Sequence, residues 1–172
     1  LPEGYTCRFR STGYRLGQPF GYKTSGFFNT QDEIDTWYDQ TPLGAKPKLG
    51  DLKYVDQNSD GKIDEKDMVP IGNPDVPEWT FGGAFNLKYK WFDFSFMFQG
   101  AAERSYSLGG TGIWETNNFN EWHKEAWTAE RYANGEKITY PRLDPGSIAS
   151  KQTSDFWLRD GSYIRLKNME FG

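Results

Sequence analysis

From Thr80 to Gln99 the chain alternates with a period of two. Phe81, Gly83, Phe85, Leu87 and Tyr89 share one parity, against Thr80, Gly82, Ala84, Asn86 and Lys88 on the other. After a turn near Lys90 the pattern resumes, with Phe92, Phe94, Phe96 and Phe98 set against Asp93, Ser95, Met97 and Gln99. Successive side chains of a strand point to opposite faces, so the spacing predicts two strands of about ten residues joined by a tight turn over 80–99. A row of phenylalanines facing one way covers a soluble core or, equally well at this length, faces lipid in a barrel wall.

Composition agrees with strands. Of 172 residues 36% are hydrophobic but 17% are aromatic, a share carried by Trp, Tyr and Phe, which favour pleated structure over long helices. Nineteen Gly and nine Pro break the chain often enough to exclude a helical bundle. The expected fold is therefore mainly β, with antiparallel strands and hairpins, long loops and one or two short helices. A net charge of −4 and a pI near 5.1 leave no basic stripe for phosphates, which excludes nucleic acid as the partner. Cys7 is the single cysteine, so an intrachain disulfide and a thiolate zinc site are both excluded. No run of about eighteen apolar residues and no basic-then-apolar leader is present, so neither a membrane helix nor a signal peptide is expected. Transmembrane strands alternate and leave mean hydropathy low, which fits the value of −0.81.

Elsewhere the signals are local. Tyr14 to Tyr22 reads as extended chain broken by turns. Thr30-Gln31-Asp32-Glu33 has the form of a helix N-cap with a carboxylate three residues on, placing Ile34 and Trp37 on one face of a helix that ends at Thr41-Pro42-Leu43-Gly44. A short strand is expected over Leu52 to Val55. Residues 100–155 read as a long surface insertion, with turns at Gly109-Gly110-Thr111-Gly112 and Asn134-Gly135 and one helix over about 118–129. Asp160-Gly161 turns into a strand ending at Phe171. The polarity of that strand changes phase after Lys167, because Asn168 and Glu170 share parity with Ile164 and Leu166, which predicts a bulge or a membrane-edge crossing there.

Residues 56–67 have the spacing of a calcium loop. Asp56, Asn58, Asp60, Asp64 and Asp67 place oxygen side chains at positions one, three, five, nine and twelve, and Lys62 would add its backbone carbonyl. Gly61 at position six permits the sharp turn that brings them around one cation. Against this, position twelve is Asp instead of a bidentate Glu, and the preceding segment reads as strand where an EF-hand has a helix. A structural calcium, held at about 10⁻⁴ to 10⁻³ M, is the expectation; the competing reading is a loop of Asx turns that binds nothing.

The remaining candidates nominate no chemistry. His123 is the sole histidine and reads as an ordinary surface or helix residue, with no serine in a nucleophile-elbow context to make a triad. No carboxylate pair stands where one pKa would be raised, and the glycine run at 109–112 lacks the strand and helix that a phosphate cradle needs. The chain is therefore not expected to be an enzyme. Trp114, Trp122, Trp127 and Tyr132 in the long insertion are weak candidates for ligand contact, by stacking on sugar rings or on a partner; packing against a barrel rim or forming an aromatic girdle is the alternative.

Four segments taken together resemble the C-terminal barrel region of the SusC/RagA family of TonB-linked outer-membrane transporters. They are Phe20-Gly21-Tyr22-Lys23-Thr24-Ser25-Gly26-Phe27-Phe28 with Asp32-Glu33-Ile34; Gly50-Asp51-Leu52-Lys53-Tyr54-Val55-Asp56 running into the acidic loop; Ile71-Gly72-Asn73-Pro74 before the Phe-rich hairpin and Gln99-Gly100; and Asp160-Gly161-Ser162-Tyr163-Ile164-Arg165-Leu166-Lys167-Asn168. They stand in the family's order, and Tyr140-Pro141-Arg142-Leu143 fits as well. Trp91 departs from the pattern, since the family commonly has glycine at that turn.

The resemblance implies a fragment of a large β-barrel in a Bacteroidetes outer membrane. Such a barrel is driven by TonB and capped by a SusD-like surface lipoprotein, and it imports glycans or peptides. The competing expectation is a soluble, secreted, calcium-stabilised carbohydrate-binding module. The Phe row separates the two: a wall sets Phe92 to Phe98 against lipid, and a soluble module buries them.

Overall fold

The computed structural model describes residues 13–108 and 119–172. Cys7, Trp114 and the glycine run at 109–112 lie outside the described residues. The chain is mainly β, its strands pair antiparallel, and its helices are short. It divides into two compact units, one containing residues 20–71 and 108–157, the other 13–19, 72–107 and 158–172.

In the first unit β1 (Phe20–Gly21) pairs with β4 (Val69–Pro70), and β2 (Thr24–Phe27) with β3 (Leu52–Tyr54). Its core joins residues far apart in sequence: Tyr22, Leu52, Tyr54, Ile63, Ala126, Tyr140 and Trp157. Aromatic rings make up most of this core, meeting edge-on or tilted, as in Tyr22 on Tyr54 at 5.3 Å and Tyr140 on Trp157 at 5.6 Å. A buried polar hub fastens the two halves of the unit. Asp51 Oδ1 accepts from Arg142 Nε at 2.7 Å and from the Ser147 hydroxyl at 2.7 Å, and Leu52 N–H donates to Ser150 Oγ at 3.2 Å.

Helix α1 (Gln31–Thr36) starts where the capping pattern places it, with Thr30 Oγ1 accepting from Glu33 N–H at 3.3 Å and Ile34 buried. It ends earlier than expected. Trp37 takes an extended conformation so that its indole N–H reaches the Tyr54 carbonyl at 2.9 Å, and Thr41–Leu43 form a separate 3-10 turn. The helix expected over about 118–129 is also corrected. Glu121–Glu125 is a 3-10 turn, Trp127 N–H then donates to the Tyr140 carbonyl at 2.8 Å, and α2 (Ala129–Ala133) begins after a new cap at Thr128. A distant strand partner thus breaks what local propensity would have continued.

In the second unit β5 (Trp79–Tyr89) and β6 (Phe92–Ala102) form the hairpin, and β9 (Tyr163–Phe171) adds to β6 in the order β5-β6-β9. Short strands β7 (Ser105–Ser107) and β8 (Leu158–Asp160) pair separately. The hairpin turn has two residues, Lys90 and Trp91, and Lys90 adopts φ 56°, a left-handed conformation that glycine or asparagine adopts more easily.

Candidate functional site

The three-stranded sheet is sorted into two chemically distinct faces by its register. Phe85 pairs with Phe96, Leu87 with Phe94 and Tyr89 with Phe92, so all six share a face. On β9, Phe171 lies opposite Phe94, Met169 opposite Phe96, Leu166 opposite Phe98 and Ile164 opposite Gly100. Between Phe98 and Met97 the partner jumps from Leu166 to Asn168, leaving Lys167 as the extra residue of a bulge. That bulge resolves the phase change seen in the sequence. Without it Met169 and Phe171 would fall on the face of Asn86, Ser95, Gln99 and Arg165.

The apolar face is open in this chain. Phe85 is 50% exposed, Ile164 68% and Phe171 67%. Its aromatic rings lie over glycines: a methyl group at Gly83 would stand 2.8 Å from the Phe98 ring, and one at Gly100 would run into Phe81. Glycine at these two positions lets the rings lie along the sheet. Trp79 and Tyr89 stand on this face at opposite ends of β5.

The acidic loop is built around its own backbone. Asp56 Oδ1 accepts from Ser59 N–H at 2.6 Å and Oδ2 from Gly61 N–H at 2.8 Å, while Asn58 Oδ1 accepts from Asp60 N–H at 2.8 Å. Asp60 accepts from Lys62 N–H at 3.2 Å, and Asp64 from Lys66 N–H at 2.8 Å and from Lys62 Nζ at 3.2 Å. Asp67 is fully buried; Oδ1 accepts from Gln57 N–H at 2.8 Å and Asn58 N–H at 3.3 Å, and Oδ2 from Asp64 N–H at 2.8 Å. Gly61 supplies the left-handed turn at φ 86°. Ile63 is buried in the core, and its N–H donates to the Asp39 carbonyl at 2.8 Å, which anchors the loop. Among the described residues no three His, Cys, Asp or Glu side chains converge as a metal site. The carboxylates as placed fit backbone amides.

No family model matches the chain. It is similar to TonB-dependent receptor P26 of Formosa agariphila, with 34% identity over 151 residues, and to TonB-dependent receptor P3 of the same organism, with 28% over 163 residues. These matches take in 87% and 93% of this chain. The chain is a relative of TonB-dependent receptors. It spans only 14% and 15% of the length of those two receptors, as a fragment of one would.

Of the aromatic candidates in this receptor segment, Trp127 is buried, its indole N–H donating to Asn29 Oδ1 at 3.0 Å. It serves packing. Trp122 is 49% exposed and Tyr132, on α2, is also exposed. Their neighbour His123 is not at the surface but buried, with Nδ1 accepting from Asn120 N–H at 2.8 Å and with Phe119, Trp122 and Tyr140 edge-on around the imidazole at 5.7, 5.9 and 4.8 Å. In front of it lies a recess of about 400 Å³ lined by Phe119, Asn120, Glu121, His123, Lys124 and Leu143.

Sequence reasoning missed that recess, because its walls come from a 3-10 turn with no apolar period and from Leu143 some twenty residues on. The cluster at the open end of the hairpin was missed too. There Arg15 Nη1 meets Glu78 at 2.7 Å, Glu103 at 2.9 Å and Asn73 at 3.1 Å. The two carboxyls hydrogen-bond each other, which pushes Glu78 up and holds Glu103 below the ordinary glutamate value.

Proposed function

We propose that this chain is part of the wall of a TonB-driven outer-membrane transporter that imports glycans or peptides together with a SusD-like surface lipoprotein, and that it carries out no bond chemistry of its own. The observation that supports this is the β5-β6-β9 sheet, apolar and aromatic on one side and polar on the other. From Trp79 to Tyr89 is ten steps of about 3.3 Å, which at a tilt of roughly 45° spans about 23 Å along a membrane normal, close to the ~25 Å apolar band of outer-membrane barrels. Trp79 and Tyr89 would stand in the two interfacial girdles. Barrels of this kind turn tightly on the periplasmic side and loop widely outside. Lys90 and Trp91 would therefore face the periplasm, and the long connection from β6 to β9 the cell exterior.

A soluble calcium-stabilised module remains the competing reading, and the exposure of the apolar face weighs against it. Spin labels placed singly at positions 93 to 99 on a Cys7→Ser background, in bilayers, separate the two. Oxygen access is expected to peak at 94, 96 and 98, and access of a water-soluble nickel chelate at 93, 95, 97 and 99. Uniform water access, or protection of 94, 96 and 98 from both probes, would sink the wall.

For calcium, the support is the spacing of oxygen side chains at Asp56, Asn58, Asp60, Asp64 and Asp67 with the carbonyl of Lys62. Binding requires Asn58 and Asp60 to give up their mutual hydrogen bond at 3.1 Å, which agrees with a weak structural site. At roughly ten times Kd a cation that binds only the folded chain adds about 1.4 kcal/mol. A melting temperature unmoved by calcium, but equally unmoved by magnesium and chelator, would remove calcium from the account.

A further inference from the structure

We propose that Gly13–Pro19 is a proton-responsive lid over a cavity at the open end of the hairpin, latched through Arg15 to Glu78 and Glu103 and loosened when those two carboxyls lose the proton they share. The inference rests on the second unit alone and is independent of the transporter reading. The lid packs with residues 72–107 and 158–172. Residues 13–17 are all exposed, Leu16 by 98%, so apolar burial contributes little to holding it. Polar contacts hold it instead. Arg15 Nη1 meets Glu78 at 2.7 Å, Glu103 at 2.9 Å and Asn73 Oδ1 at 3.1 Å, and Gln18 Nε2 donates to the Gly72 carbonyl at 3.0 Å. Gly13 and Gly17 take left-handed conformations at φ 92° and 74°, which glycine adopts without strain and from which the segment can pivot. Between the lid and the chain facing it lies a cavity of about 350 Å³, with Leu16 and Gly17 on one wall and Pro74 and Val76 on the other. One wall therefore moves with the lid.

The latch is built from two unfavourable features. Glu78 precedes β5 and Glu103 follows β6, and Glu78 N–H donates to the Glu103 carbonyl at 3.4 Å. Glu103 adopts φ 54°, which a residue with a Cβ enters only at a cost. That strained backbone sets one carboxyl against another, where two negative charges would repel. The neighbouring charges on the flanking segments, Asp75 and Arg104, pair with each other at 2.9 Å, so Arg15 is the cation that reaches the two carboxyls. A single shared proton turns the repulsion into a hydrogen bond, which pushes Glu78 above the ordinary glutamate value and holds Glu103 below it. A raised carboxyl lends stability that is whole below the unfolded value and is lost as pH rises through the folded one; a depressed carboxyl lends stability that is lost as pH falls. Closure is accordingly tightest near the ordinary glutamate value of about 4.3 and loosens toward neutral pH.

The test is fluorescence of bimane attached at Leu16→Cys and quenched by Val76→Trp across the cavity, on the whole 172-residue chain with Cys7→Ser, in detergent. The same labelled chain with Val76 retained corrects for native tryptophans and for pH. The ratio of closed to open lid is expected to fall about threefold from pH ~4.5 to pH ~8, the scale of an exposed charge pair. Glu78→Gln keeps a neutral donor opposite Glu103 and is expected to flatten the profile while leaving the lid closed. Arg15→Gln is expected to leave it open throughout. All three sites are exposed, so these variants are expected to fold. The proposal is overturned if quenching is flat or strengthens toward pH ~8, if Glu78→Gln retains the slope, or if Arg15→Gln stays closed.

Discussion

Asp67 gathers three backbone N–H groups on one fully buried carboxylate, from Gln57, Asn58 and Asp64. Removing it would strand all three. Asp67→Ala is expected to cost about 2–4 kcal/mol, read as a lowered urea midpoint with unchanged slope. The loop's exposed carboxyls answer to pH. The Lys66 N–H holds Asp64 below the ordinary aspartate value, with Lys62 adding to it. For Asp56, partial loss of solvent pushes the carboxyl up, but the N–H groups of Gly61, Ser59, Asp60 and Asn58 outweigh it and the value ends low. Groups depressed in the folded state lend stability that is whole above the unfolded value of about 3.8 and is lost as pH falls through the lower folded values. Chemical shifts of Ser59, Gly61 and Lys66 are thus expected to stay constant from neutral pH to about 4 and to move together below it; a shift beginning near pH 6 would contradict this assignment. At this scale the sequence was legible in spacing and blind to burial. The oxygen side chains could be placed on one loop, but nothing local showed that His123 would sit behind Phe119 or that Asp51 would meet Arg142.

The hairpin was readable because alternation is a local property that register preserves. The bulge was readable for the same reason, as a change of phase at Lys167. Deleting Lys167 is expected to carry Met169 and Phe171 to the polar face, so a spin label at position 169 would exchange oxygen access for nickel access in bilayers. The turn offers a gain. Lys90 holds φ 56°, which costs an L-residue about 1 kcal/mol relative to glycine; Lys90→Gly is expected to raise the thermal midpoint by a few degrees, and a lowered midpoint would mean that Lys90 over the Tyr89 ring, at 5.3 Å, contributes more than the backbone loses. The stretch after residue 118 was misread because its conformation is set from Tyr140. A pairing across that distance leaves no trace in helical propensity.

For the whole molecule the decisive question is what covers the apolar sheet. Among the described residues β5 and β9 each border only β6, so strand edges as well as phenylalanines stand open there, a combination that invites association. Without detergent the chain is expected to run as large, polydisperse species by light scattering. A variant with Phe85→Ser, Phe94→Thr and Phe96→Thr is expected to shift toward monomer, since those changes keep strand-forming residues at most positions while removing the apolar band. If the unaltered chain were monodisperse without detergent, the sheet would have found a cover within the molecule.

The two units also differ in when they can form. The hairpin needs contacts only between neighbours in sequence and can close on a microsecond scale. The other unit waits on pairs such as Asp51 with Arg142 and Leu52 with Ser150, which are 91 and 98 residues apart. Closing loops of that length is slow. During synthesis or refolding the apolar hairpin is therefore complete while the unit encoded on both sides of it is still unfinished, and an interval opens in which a holding chaperone would have the Phe-rich sheet as its client.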